Sequence, residues 1–319
     1  MRSLLTLIAQ RVGLSYEDVV AWLREENSVA AIEERILRGD YARAITGVDA
    51  AAGKIAADIQ AQYVAAGQRA ADWLDGKVSD KLIRFDTATP QVVQRARANQ
   101  LELVQGFTLE RNQIARQITQ RALVESAAQG VNPRRIAQDF RDSIGLTPNQ
   151  EQWVANYRRA LESGEYLRAT GYELSSGQAD RTLRRLDRDG GSLTPAQIDD
   201  YVERYRTNAL TYRAETIART EALRNAHEGA DDAMRQAISR GDVEADALVK
   251  EWHAGPATTD AREQHQAMDG VRVKFGEDFV LPDGVRMSSP GDVRGGPAHT
   301  ANCRCTSSTA FDLEKRRAA

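Results

Sequence analysis

The chain has 319 residues, 41% hydrophobic, 28% charged and only 6% aromatic, a balance that suits a globular, helix-rich protein and excludes a disordered one. Its length exceeds what one core ordinarily serves, so two or more structural units are expected. The net charge of -3 gives no global attraction to nucleic acid or anionic membrane, and any DNA contact needs a local patch.

Met1 to Ala9 contains a short apolar run, but Gln10 and Arg11 end it without a small-residue cleavage site, which predicts an amphipathic helix rather than a leader. No stretch approaches the roughly 18 apolar residues of a membrane span. Ser15 and Asp18 stand in capping-box positions ahead of Val19, Val20, Trp22 and Leu23, and a first helix pair is expected to about residue 45. Ile55, Ile59, Tyr63 and Ala66 then share one helical face, and Pro90 opens a longer amphipathic run through Leu101, Val104, Phe107, Ile114, Ile118 and Ala122.

Asn132-Pro133 supplies an N-cap and a first helical position, and Ile136, Phe140 and Ile144 step every four residues until Gly145. A capping signal occurs twice, as Thr147-Pro148-Asn149-Gln150 and Thr194-Pro195-Ala196-Gln197, and both open helices. The second carries Ile198, Tyr201, Val202, Tyr205 and Ala209 and runs on to about Ile238, either as one rod or as a kinked pair. Between them, Ser175 to Ser192 reads as an exposed linker, with Asp180, Asp187 and Asp189 blunting its arginines.

After Gly241 the period changes from 3.6 to 2, and four of the eight prolines fall between Gly255 and Pro297. Val271, Val273 and Phe275 alternate with charged residues, Phe279-Val280-Leu281 follows, and Pro282-Asp283-Gly284 turns into Val285 and Met287. The fold class expected is mainly α: an extended multi-helix body with a small C-terminal α+β module containing a short antiparallel sheet. The boundaries expected are an N-terminal helical region over 1–130, a helical body with a long helix over 131–240, the module over 241–307 and a flexible tail over 308–319.

A sheet this small, with long Gly/Pro-rich turns, needs a further staple. Three of the four histidines (His253, His265, His299) share the module with both cysteines, Cys303 and Cys305, whose spacing is too short for an ordinary disulfide. Thiolates and imidazoles are the donors of a tetrahedral zinc site, so a structural zinc held by His265, His299, Cys303 and Cys305, with His253 as the alternate to His265, is one reading. The other makes both cysteines small buried residues on one face of a strand and His265 a hydrogen-bonding residue on a helix over Asp260 to Met268, capped by Asp260, with Arg262 paired to a carboxylate. No nucleophile elbow, phosphate loop or other cofactor motif stands out.

An ordered set of short motifs runs from residue 217: Ile217-Ala218-Arg219-Thr220-Glu221, Asn225, Lys250-Glu251-Trp252, Asp260-x-Arg262-x-x-His265-x-x-Met268-Asp269-Gly270, Phe279, Pro290-Gly291-Asp292, Gly296-Pro297 and Asn302-Cys303-Arg304-Cys305. This set resembles the phage Mu F-like family of head morphogenesis proteins, minor capsid proteins of tailed bacteriophages. The resemblance covers about 95 residues and implies a non-enzymatic virion protein, made in the host cytoplasm and housed in the phage head. It implies the portal protein and the major capsid or scaffolding protein as partners, and a part in head assembly, DNA packaging or ejection that can include contact with double-stranded DNA. The alternative from another class is a metal-dependent hydrolase or toxin-like enzyme in the C-terminal module.

Overall fold

Proline and capping residues set the helix starts. In the computed structural model, which describes residues 16–38, 40, 43–78, 83–129, 133–256 and 262–312, the helices are α1 (16–26), α2 (Val29–Leu37), α3 (Val48–Asp75), α4 (Pro90–Gln129), α5 (Pro133–Asp142), α6 (Pro148–Glu162), α7 (Tyr166–Ala169), α8 (Gly177–Asp189) and α9 (Pro195–Ser239). The fold is mainly α with short antiparallel sheets near its C-terminal end. Both Thr capping boxes close as the sequence predicts: Gln150 N–H donates to Thr147 Oγ1 at 3.1 Å and Gln197 N–H to Thr194 Oγ1 at 3.3 Å. The expected leading helix, the Ser15 and Asn132 caps and the Asp260 cap lie outside the described residues. No helix among the described residues is long and apolar enough to cross a membrane.

One expectation fails in the body. Ser175 to Ser192 is not a linker, because Ser176 caps helix α8, Ala179 and Leu183 bury its one apolar face, and Gly190 ends it at φ 68°. A left-handed residue at that position suits glycine, which has no Cβ to clash.

The chain divides into two compact units, each assembled from segments distant in sequence. One holds the described residues of 16–54 and 101–214. Its core includes Val154, Tyr157, Leu161, Leu183, Val202 and Tyr205, with the Tyr157 and Tyr205 rings stacked at 4.4 Å.

The other unit holds the described residues of 55–100 and 215–312. Here α3 and α9 approach closely at Gly229, where an added Cβ would meet the Tyr63 carbonyl oxygen at 2.3 Å. Tyr63, Leu74, Phe85 and Val92 pack with Met234, Ala237 and Leu248. Arg95 of α4 pairs with Asp232 at 2.7 Å, and Tyr63 donates to the same carboxylate at 2.7 Å, so the charged groups buried against this core are satisfied.

In the same unit follow β1 (Leu248–His253), α10 (Glu263–Gln266), β2 (Arg272–Lys274), β3 (Phe279–Val280), β4 (Arg286–Met287), α11 (Gly296–Thr300) and β5 (Thr306–Phe311). The strands form two antiparallel sheets, β2-β1-β5 and β3-β4. Every residue of β1 from Leu248 to His253 pairs with β5. The expected flexible tail therefore begins too early: residues 308–311 are strand, held by the β1 ladder although Thr306-Ser307-Ser308-Thr309 carries no large apolar residue to announce it.

Candidate metal centre

Strand β1 points Leu248, Lys250 and Trp252 inward by simple alternation. Trp252 is fully buried and packs edge-on against His265 at 5.4 Å and Phe279 at 5.3 Å, with Leu223, Met268, Leu281 and Met287 around them. Beyond β1 the chain passes Gly255, whose missing Cβ leaves room for Arg304, since an added one would lie 2.8 Å from the Arg304 Cβ. That approach brings the Gly255 N–H to 3.4 Å from Cys305 Sγ.

Cys303 and Cys305 sit between α11 and β5, two positions apart and both buried, at 2% and 4% exposure. The turn that delivers them is anchored at Asn302, a non-glycine residue at φ 56°. Its side chain accepts from Arg219 at 2.8 Å and donates to Thr216 at 3.2 Å, while its N–H reaches Thr220 Oγ1 at 3.2 Å. Three residues on one face of α9 thus fix where the cysteines begin. Arg262 braces α11 from the other side, donating to the carbonyls of Ala298 and Ala301 at 2.5 and 2.7 Å rather than pairing with a carboxylate as the sequence suggests.

His265, on α10, is 2% exposed and turns Nδ1 toward both sulfurs, 3.5 Å from Cys303 and 3.6 Å from Cys305. The three donor atoms lie within 4.8 Å of one another. A tetrahedral zinc ion with ordinary bond lengths would hold sulfur and nitrogen about 3.6 Å apart, which is the spacing found. The charges also suit a divalent cation: two thiolates and a neutral imidazole balance it, leaving a neutral buried centre. Without an ion the same spacing lets a thiol bond the imidazole. The hydrogen bond between the cysteines pulls the Cys305 thiol down from its ordinary pKa, helped by His265 and the Gly255 N–H, and pushes Cys303 up together with burial.

Of the four donors expected from the sequence, the structure brings three together. His299 is adjacent, but its Nδ1 faces His265 Nε2 at 3.1 Å and its Nε2 faces Asp283 at 3.0 Å. His253 points elsewhere, to Ser308 Oγ at 2.7 Å. Three protein donors would leave one position of a tetrahedral ion for water or another small donor.

No protein-family model, curated protein or solved structure matches the chain.

Two residues near this centre have roles that sequence reasoning misses. His227, on α9, is buried: its Nδ1 lies 2.8 Å from the Pro290 carbonyl and its Nε2 accepts the Ser307 N–H at 3.0 Å, so it ties the β5 strand to the long helix. Burial pushes its pKa down to about 4. A lone histidine in a helix carries no spacing signal, and nothing before the fold distinguishes it. Lys250 is the other, 2% exposed, donating to the Ser288 carbonyl at 2.6 Å and lying over the Phe279 ring at 5.5 Å. Burial lowers its pKa, and Asp231, itself raised by burial, opposes that shift.

Proposed function

We propose that the chain is a structural, non-enzymatic component of a tailed-phage head, and that its C-terminal module is a zinc-stapled docking element for the portal protein. One observation carries the reading. The motif residues behind the resemblance are consumed in holding the module together: Arg219 and Thr220 grip Asn302, and Asp269 accepts the Ala254 N–H at 2.8 Å. Trp252, Met268, Phe279, Cys303 and Cys305 are one buried cluster. Residues used internally make a rigid shape, and a rigid shape is what a docking part supplies to an assembly. The major capsid or scaffolding protein and double-stranded DNA are the further partners this reading carries.

The zinc belongs to the same reading, because two small sheets with strands two to six residues long gain stability from a bound ion. His265, Cys303 and Cys305 would hold it, and the ion would supply a crosslink between α10 and the turn before β5.

Tagging the chain in a phage that encodes it tests the assignment. The tagged chain is expected in purified heads and in detergent-resistant complexes with the portal protein. A chain absent from particles and from portal complexes overturns it. The competing reading, a metal-dependent hydrolase or toxin-like enzyme, draws on the fourth tetrahedral position. Against it stands the burial of the donors, each 4% exposed or less, where a catalytic ion needs an open pocket.

A further inference from the structure

We infer that His299 and Asp283 are positioning residues of the metal centre, a hydrogen-bonded relay that fixes which nitrogen of His265 is offered to the ion. The inference rests on the metal reading above and adds residues and a direction to it.

The direction follows from the carboxylate outward. Asp283, in the turn between β3 and β4, is an acceptor when ionised and lies 3.0 Å from His299 Nε2. That nitrogen therefore carries the hydrogen. A neutral imidazole holds one N–H, so His299 Nδ1 is bare and can only accept. Its neighbour at 3.1 Å is His265 Nε2, which must then be the donor. His265 is left with a bare Nδ1, and that is the atom 3.5 and 3.6 Å from the two sulfurs. The two rings are nearly parallel, 14° apart, as a bond running ring edge to ring edge allows. Trp252 packs edge-on against His265 at 5.4 Å.

Each link comes from a different element: α10, α11 and the β3-β4 turn. The relay thus couples the small second sheet to the centre that pins β5. Metal-bound histidines commonly donate their remaining N–H to such a partner, and loss of the partner ordinarily weakens metal binding ten- to a hundredfold.

The test uses the full chain. Selective ¹⁵N-histidine labelling and long-range ¹H–¹⁵N correlation read the tautomers in the wild type, with and without zinc. Both His265 and His299 are expected as Nε2–H forms. A His299 that carries its hydrogen on Nδ1, or on both nitrogens, overturns the relay. Zinc affinity by chelator competition and cobalt spectra then separate positioning from ligation. His299→Phe and Asp283→Ala are expected to raise the zinc Kd ten- to a hundredfold while the cobalt–thiolate absorption keeps its position. His299→Gln, whose amide oxygen can accept from His265, should recover most of the loss. Unchanged affinity in H299F and D283A overturns the relay alone, and a cobalt spectrum that changes coordination in H299F makes His299 a ligand and overturns it too. A wild type that takes up neither zinc nor cobalt overturns the metal centre itself.

Discussion

His227 shows how one side chain makes the unit's stability depend on acidity. In the unfolded chain it titrates at its ordinary value of 6.5, whereas in the fold burial holds it at about 4. Between those values the unfolded state binds more protons, so the contribution to stability is complete above pH 6.5, declines as pH falls and stops changing below about 4. From pH 8 to pH 5 the cost is about 2 kcal/mol. Denaturant titrations at the two pH values should show that loss in the wild type, and His227→Asn should remove it while lowering stability at pH 8. A difference between the two proteins that does not vary with pH would sink the assignment. Asp292 acts at lower pH: against its burial, the Arg294 side chain and the backbone N–H groups of Ser288 and Arg294 bring it down to about 2, so its contribution is complete above pH 3.8 and is lost as pH falls toward about 2.

At the scale of elements, the tie between α9 and the Asn302 turn separates conformation from contact. Asn302→Gly keeps the left-handed backbone but loses the bonds to Arg219 and Thr216, at a cost of about 1–2 kcal/mol. Asn302→Ala loses the same bonds and adds the steric penalty of φ 56°, roughly 1 kcal/mol more. Equal losses on chemical denaturation would show that the backbone conformation carries no weight there. The helices were legible because periodicity and capping are local: Thr147, Thr194, Pro90 and Pro195 each announce a start that the fold uses. The turn at Pro282-Asp283-Gly284 was legible for the same reason. Strand β1 was hidden by Lys250 standing at an inward position, and β5 by its run of serine and threonine, since both depend on each other for pairing rather than on their own pattern. Of the candidate site, the donor types were readable and the role of His299 was not, because its place relative to His265 is set by α11, the Arg262 brace and Asp283 together.

For the whole molecule, the sequence suggests consecutive segments, while the structure builds each unit from separated ones. Composition shifts at Gly241 mark a change of local structure, which is not the same as a boundary of packing. Leu248 and Val243 complete a core with Tyr63, Leu74 and Phe85, and Leu223 of α9 completes the Trp252 cluster, so residues 241–319 expressed alone are expected not to fold stably even with zinc present. Dispersed amide resonances from that fragment would contradict this; adding residues 55–100 and 215–240 on the same chain should be needed to obtain them.

The close approach of α3 to α9 at Gly229 sets an order of events in the cell. Residues 55–100 leave the ribosome more than a hundred residues before their partners from 215 onward, a wait of roughly 6 to 23 seconds at ordinary synthesis rates. During it, the apolar faces around Tyr63 and Leu74 stand uncovered. The thiols that would take the ion emerge later still, so metal capture can only follow synthesis of α3, α4 and α9. It would act as a latch closed at the end of folding, and starving cells of zinc should leave full-length chains that fail late rather than fragments that fail early.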